Sequence, residues 1–215
     1  IDEEPKDTIA TGDDLLTLPA SVPLALRLDA YAQLYANGKA ATDFQLPFNL
    51  KLLSGGTLGK KLSYYVYFLL AERGEVAGIE DAFIYWNDIA DAPVDLAVGQ
   101  FQVSDPIFKR ELRLEVLDYA IYKVLVGLQP ANLTYDRGLM ASADLAGFTL
   151  TATLVNGDGI PAANELFRYD NDANKNLFGH LTHDLGKHAR LGLMGYTGRQ
   201  DGEVYGFPGQ DNAVT

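Results

Sequence analysis

Leu24-Ala25-Leu26-Arg27-Leu28-Asp29-Ala30-Tyr31-Ala32-Gln33-Leu34-Tyr35-Ala36 alternates apolar and polar side chains along its length. Leu24, Leu26, Leu28, Ala30, Ala32, Leu34 and Ala36 fall on one face; Arg27, Asp29, Tyr31, Gln33 and Tyr35 fall on the other. A period of two is that of a strand. About ten residues is the length a tilted strand needs to cross a bilayer. A face carrying arginine, aspartate and glutamine suits a water-filled lumen, and a leucine face suits lipid. The expected fold is all-β: a transmembrane antiparallel β-barrel.

Composition narrows the alternatives. The chain has 215 residues, with 17 basic against 29 acidic side chains and a net charge of -12. Nucleic-acid phosphates would repel such a surface, so no nucleic-acid partner is expected. There is no cysteine, hence no disulfide framework and no thiolate metal site. No apolar run reaches the ~18 residues of a transmembrane helix. The mean hydropathy, -0.04, is that of a soluble globule and equally of a barrel whose strands are half polar. No secretory signal opens the sequence, which implies a mature or trimmed start.

Further segments of similar length follow. Residues 1–23 read as a periplasmic-side lead-in interrupted by Pro5, Pro19 and Pro23, and 24–215 as barrel strands with long outer loops. After Asn37-Gly38 a second strand runs Phe44 to Leu53, where Pro47 implies a broken or bulged pairing. Gly55, Gly56 and Gly59 mark a turn. Next come Leu62–Ala71, Ile79–Asn87 and Val94–Gln102. The stretch 103–133 resists assignment, with 111–126 fitting a short helix or an extra strand. Thr134–Ala143, Phe148–Asn156, Asn176–Asp184 and Ala189–Thr197 complete about nine strands. The connections 53–61, 88–93, 145–147 and 185–188 fall on one side of such a sheet. The longer 72–78, 103–133 and 157–175 fall on the other, an asymmetry characteristic of outer-membrane barrels.

Two stretches carry a family resemblance. Val98-Gly99-Gln100-Phe101 follows a strand and precedes a long loop; Leu133-Thr-Tyr-Asp-Arg-Gly-Leu-Met140 leads to Phe148–Asn156 and Gly157. Both resemble the phosphate-selective porins of the O and P family, over about residues 24–197. The resemblance implies a 16-stranded, usually trimeric, outer-membrane channel, of which this chain would be the N-terminal part. It also implies that 103–133 folds into the lumen. Anion-binding members line their pores with many lysines and arginines, whereas this chain is acidic, so weak selectivity is expected.

Candidate site residues follow from that frame. Lys109, Arg110, Arg113 and Lys123, interleaved with Glu111, Glu115 and Asp118, would form the pore constriction, where facing charges sort solutes. The same charges equally suit a salt-bridged surface loop. Arg27, Asp29, Tyr31, Gln45, Lys51, Tyr65, Tyr67, Asp81 and Arg190 would line the pore. Asp170, Asp172, Asn174 and Asn176 alternate like the start of a calcium loop, but Lys175 stands at the glycine position and Leu181 where the closing glutamate belongs. A solvated loop is the plainer reading, and no metal is assigned. His180, His183 and His188 are the histidines, and two of them three apart on a strand point to opposite faces. Ser54–Lys61 half resembles a phosphate-binding loop but departs from its register, and a glycine turn accounts for it better. Arg137 falls on the lipid side by strict alternation, so it lies at the membrane edge or Gly138 marks a bulge.

The expected function is passive diffusion of small hydrophilic solutes or ions through the bacterial outer membrane. No enzyme chemistry and no cofactor are expected, and the partners are outer-membrane lipid and, by resemblance, further copies of the chain in a trimer. Two other readings stand beside it: a barrel sheath around an inserted electron-transfer partner, and a soluble β-sandwich binding module. Leu26, Leu28, Tyr64, Val66, Phe68, Ile84, Leu150 and Leu193 are expected to face lipid, with Tyr64, Trp86 and Tyr135 at the interfacial level.

Overall fold

A computed structural model describes residues 8–10, 16–34, 43–104, 123–126, 129–170, 172–200 and 212–214. Its elements are β1 (Thr8–Ala10), β2 (Thr17–Pro19), β3 (Leu24–Gln33), β4 (Asp43–Thr57), β5 (Leu62–Glu72), β6 (Gly78–Trp86), β7 (Val94–Gln102), β8 (Lys123–Val126), β9 (Gln129–Asn132), β10 (Tyr135–Leu145), β11 (Phe148–Val155), β12 (Asn176–Leu185), β13 (Ala189–Gln200) and β14 (Asn212–Val214). The protein is all-β; a short 3-10 turn at Ile89–Asp91 is the helical content of the described residues. No helix among them is long and apolar enough to cross a membrane.

Ten strands share one sheet in the order β14-β13-β12-β11-β10-β7-β6-β5-β4-β3, with β1-β2 and β8-β9 as separate pairs. The sheet is not closed: β3 and β14 stand at its ends. Two compact units divide the chain, Ile1–Ile84 and Tyr85–Thr215.

In the first unit, Arg27 pairs with Lys51 and Asp29 with Asn49 across β3 and β4. The register then shifts, so that Tyr31 pairs with Gln45. Pro47 sits within this irregularity, where its missing N–H takes no ladder bond from the sheet. The β4 strand runs past its expected end at Leu53 and carries Gly55 and Gly56, expected in a turn. They pair with Tyr65 and Tyr64, whose rings lie 3.2 and 3.3 Å from where a β-carbon would stand. Cross-strand aromatic rings thus cover the bare glycine backbone. The hairpin itself is 58–61, closed by the Leu58 and Gly59 amides donating to the Leu62 carbonyl. Within the expected lead-in, β1 pairs with β2, whose Thr17 amide donates to the Leu58 carbonyl (2.6 Å).

In the second unit, β10 lies between β7 and β11, and β12 and β13 follow in unbroken antiparallel register. Connections 87–93, 146–147 and 186–188 gather at one end of these strands. Connections 103–134 and 156–175 leave from the other. Ala146 and Gly147 both take positive φ, the two-residue turn whose twist matches a hairpin. The unassigned stretch holds the β8-β9 hairpin; 105–122 lie outside the described residues.

Gly138 shows no bulge: its pairing with Gly99 continues an unshifted register. It has a steric task instead. A β-carbon there would strike the Leu154 carbonyl on β11. At Gly195 a β-carbon would meet nothing. Gly138→Val should therefore destabilise by roughly 1–3 kcal/mol through forced backbone movement, while Gly195→Ala should stay within about 0.5 kcal/mol. Urea unfolding followed by circular dichroism checks both.

Candidate functional site

Alternation places one set of side chains on each face, and in both units several polar residues are buried, alongside Phe48, Tyr67 and Leu69 in the first and Ala97, Phe101 and Val103 in the second. On β11 and β12 the buried residues are Thr151, Thr153, Asn176 and His180, with Val155 and Phe178. Their neighbours Leu150, Leu154, Leu177 and Leu181 are exposed, and Leu193 on β13 is 73 % exposed. In the first unit Asn49, Lys51, Glu80 and Asp81 are buried, while Leu24, Leu26, Leu28 and Ile84 are exposed.

The expected pore-lining residues of the first unit lie together on the polar face. Arg27 pairs with Asp29 at 2.9 Å, and Asn49 Nδ2 donates to Asp29 Oδ2 at 3.4 Å. Lys51 Nζ stands 5.3 Å from the Tyr67 ring centre. Tyr31 meets Phe48 edge to face at 4.9 Å, and Tyr65 lies 5.6 Å from Phe83. Gln45 Nε2 donates to Gln33 and Asp43 (3.2 and 2.9 Å). Asp81 is buried. Arg190 belongs to the second unit, where Asp184, opposite it in the ladder, accepts from its guanidinium.

At the long-loop end of the second unit lies a cluster the sequence reading missed. Asp136 is fully buried; Oδ1 accepts the Arg137 amide (2.7 Å) and Oδ2 the Gly157 amide (2.8 Å), and the Gly159 amide also reaches this carboxylate. Asn176 Nδ2 donates to the Tyr196 hydroxyl (2.8 Å), and its Oδ1 accepts the Arg199 amide (3.0 Å). A β-carbon at Gly157 or Gly198 would collide with Asn176, so these two glycines make room for it. Together Asp136 and Asn176 fasten both roots of the 156–175 connection to the sheet. Asp136-Arg-Gly was visible as a motif, but its grip on an amide 21 residues later was not.

The remaining candidates sort as follows. Arg137 lies near the start of β10: Nη1 donates to the Pro161 carbonyl (3.1 Å), and the guanidinium stacks 4.0 Å from the Tyr169 ring centre. Asp170 and Asp172 accept the amides of Asp172 and Asn174 (3.1 and 2.6 Å), and Lys175 forms an ion pair with Asp170. The would-be calcium ligands Asp170 and Asp172 thus cap their own loop, and Asp170 is paired with an ammonium. Among the described residues no group of three His, Asp or Glu side chains could hold a metal. His180 is buried, whereas His183 stacks on Phe148 at 4.5 Å on the opposite face. Lys109, Arg110 and Arg113 lie outside the described residues; Lys123 opens β8, its side chain likewise undescribed.

Of the expected outward residues, Leu26, Leu28, Ile84, Leu150 and Leu193 are exposed, and Tyr64, Val66 and Phe68 half-buried. Trp86 is 45 % exposed. Tyr135 departs from expectation. It is 4 % exposed, because Leu133 and Val103 continue the ladder past it: Val103 and Ser104 amides donate to Thr134 and Leu133 carbonyls. It therefore takes no girdle position.

No protein family, characterised protein or solved structure matches this chain. The geometry of its own residues carries the functional reading.

Asp136→Asn keeps the shape but replaces one of the two accepting oxygens by an amide donor facing backbone N–H groups. It should cost about 1–3 kcal/mol, and limited proteolysis should cut within 157–175 faster than in the parent chain.

Proposed function

We propose that this chain forms strands of a bacterial outer-membrane β-barrel that acts as a porin, passing small hydrophilic solutes or ions without chemistry or cofactor. The observation that carries the reading is the amphipathicity of β11 to β13: Leu150, Leu154, Leu177, Leu181 and Leu193 are exposed while Thr151, Thr153 and His180 are buried. In a bilayer an outward leucine face is solvated by lipid and an inward polar face by lumen water. The buried Thr153 hydroxyl, without a protein partner among the described residues, suits a wet lumen. A β-sandwich module would turn the leucine faces towards each other instead.

Two further observations agree. Tight connections gather at one end of the second unit and long ones at the other, as periplasmic turns and external loops do. The antiparallel ladders satisfy strand backbone groups within the sheet, a requirement in hydrocarbon. The Gly-Gln-Phe and Asp-Arg-Gly stretches extend the reading to the phosphate-selective O and P porins, with a trimer of 16-stranded barrels as the assembled form. Barrel closure and the inward folding of 103–133 belong to this proposal.

Leu150→Arg or Leu193→Arg should impair insertion into lipid vesicles by roughly 2–4 kcal/mol at mid-bilayer depth. Unchanged insertion would remove the membrane reading. In planar bilayers the assembled protein should conduct, with weak selectivity. Neutralising Lys109, Arg110 and Arg113 together should shift reversal potentials towards cation preference, because fixed charge at a constriction sets the ion balance. An unmoved potential would place the basic cluster away from the solute path.

A further inference from the structure

The second unit carries a cleft of roughly 550 Å³ within its longest described connection, lined by Asn156, Leu166, Arg168, Tyr169, Asp170 and Asp172, among others. That is the size of a small-molecule site. The segment around it has no regular secondary structure, yet it is tightly held. Asn164 Oδ1 accepts the Leu166 and Arg168 amides (2.9 and 3.1 Å), the Asn164 and Phe167 amides close the turn, and Arg137 braces the Tyr169 ring from the sheet. A long connection fixed at its roots and folded around a cleft is a common site of recognition.

We propose that this cleft binds a neutral saccharide at the loop end of the sheet. The Arg168 guanidinium and the Asn156 amide bring donors. Asp170 and Asp172 bring carboxylate acceptors. Leu166 and Tyr169, 70 % and 51 % exposed, bring apolar surface. Sugar hydroxyls both donate and accept, so they match a lining that holds both kinds of group, and a ring's C–H face suits an exposed tyrosine. Among the lining side chains two carboxylates, Asp170 and Asp172, stand beside one guanidinium, Arg168, which disfavours an anion. Lys175 on Asp170, with the Asp170 and Asp172 Oδ1 atoms engaged by backbone amides, disfavours a metal cation. The inference goes beyond the channel reading and does not require it.

Saturation-transfer NMR on the full chain in detergent micelles tests it, with maltose, sucrose, inorganic phosphate and calcium chloride as separate probes, phosphate followed by its own phosphorus resonance and calcium by competition. Maltose or sucrose should bind saturably. Arg168→Gln should weaken that binding about tenfold with circular dichroism unchanged, and Tyr169→Ala should weaken it likewise. Because Tyr169 also meets Arg137, Arg168→Gln alone decides if Tyr169→Ala disturbs the loop. Absent sugar binding, phosphate or calcium binding in its place, or sugar binding indifferent to Arg168→Gln would each overturn the proposal. Sugar binding without bilayer conductance supports it while counting against the porin; conductance without sugar binding overturns this inference alone.

Discussion

Backbone pairing in the antiparallel sheet is the constraint on which the rest depends. For the membrane barrel we propose, outward leucines require strands that leave no amide or carbonyl unpaired, since in hydrocarbon each such group costs several kcal/mol. The unbroken registers from β7 through β10, β11 and β12 to β13 meet this condition. They also fix which residues share a face, because a slip by one residue would exchange the Leu150-Leu181-Leu193 row for the Thr151-His180 row.

Small residues protect that register. Gly138 lets β10 approach the Leu154 carbonyl, and Gly157 and Gly198 give Asn176 its place. On β4 the opposite problem arises, and Tyr64 and Tyr65 supply side-chain cover over Gly56 and Gly55. In both cases glycine and its neighbour act as a matched pair across strands, which a single strand's alternation does not reveal.

Polar side chains of the sheet are tied to one another. Arg27, Asp29 and Asn49 form one connected group, while Asp184 and Arg190 form an ion pair beside a turn. Side chains tied to one another in this way are restrained, and in the channel we propose such restrained charge would set the preference among solutes. At the loop end, Asp136 and Asn176 convert a long connection without regular secondary structure into a held surface, so that the cleft beside Tyr169 has a defined shape.

Much of this was determined by sequence alone. The alternation in Leu24–Gln33, Val94–Gln102, Phe148–Val155 and Ala189–Gln200 specified strand type, approximate ends and the apolar face, because period two is a local property of each segment. It placed Arg27, Asp29, Lys51 and Tyr67 on one face for the same reason. The tertiary structure decided what depends on partners distant in sequence. Thr151, Thr153 and His180 are buried while the leucines beside them are exposed, Gly55 and Gly56 belong to a strand, Tyr135 is covered, Arg137 turns to Pro161 and Tyr169, and Asp136 reaches Gly157. A segment's own pattern shows that it has two faces. Which of them meets other protein atoms is set by the neighbouring strands and returning loops, whose positions arise only from pairing across the sheet.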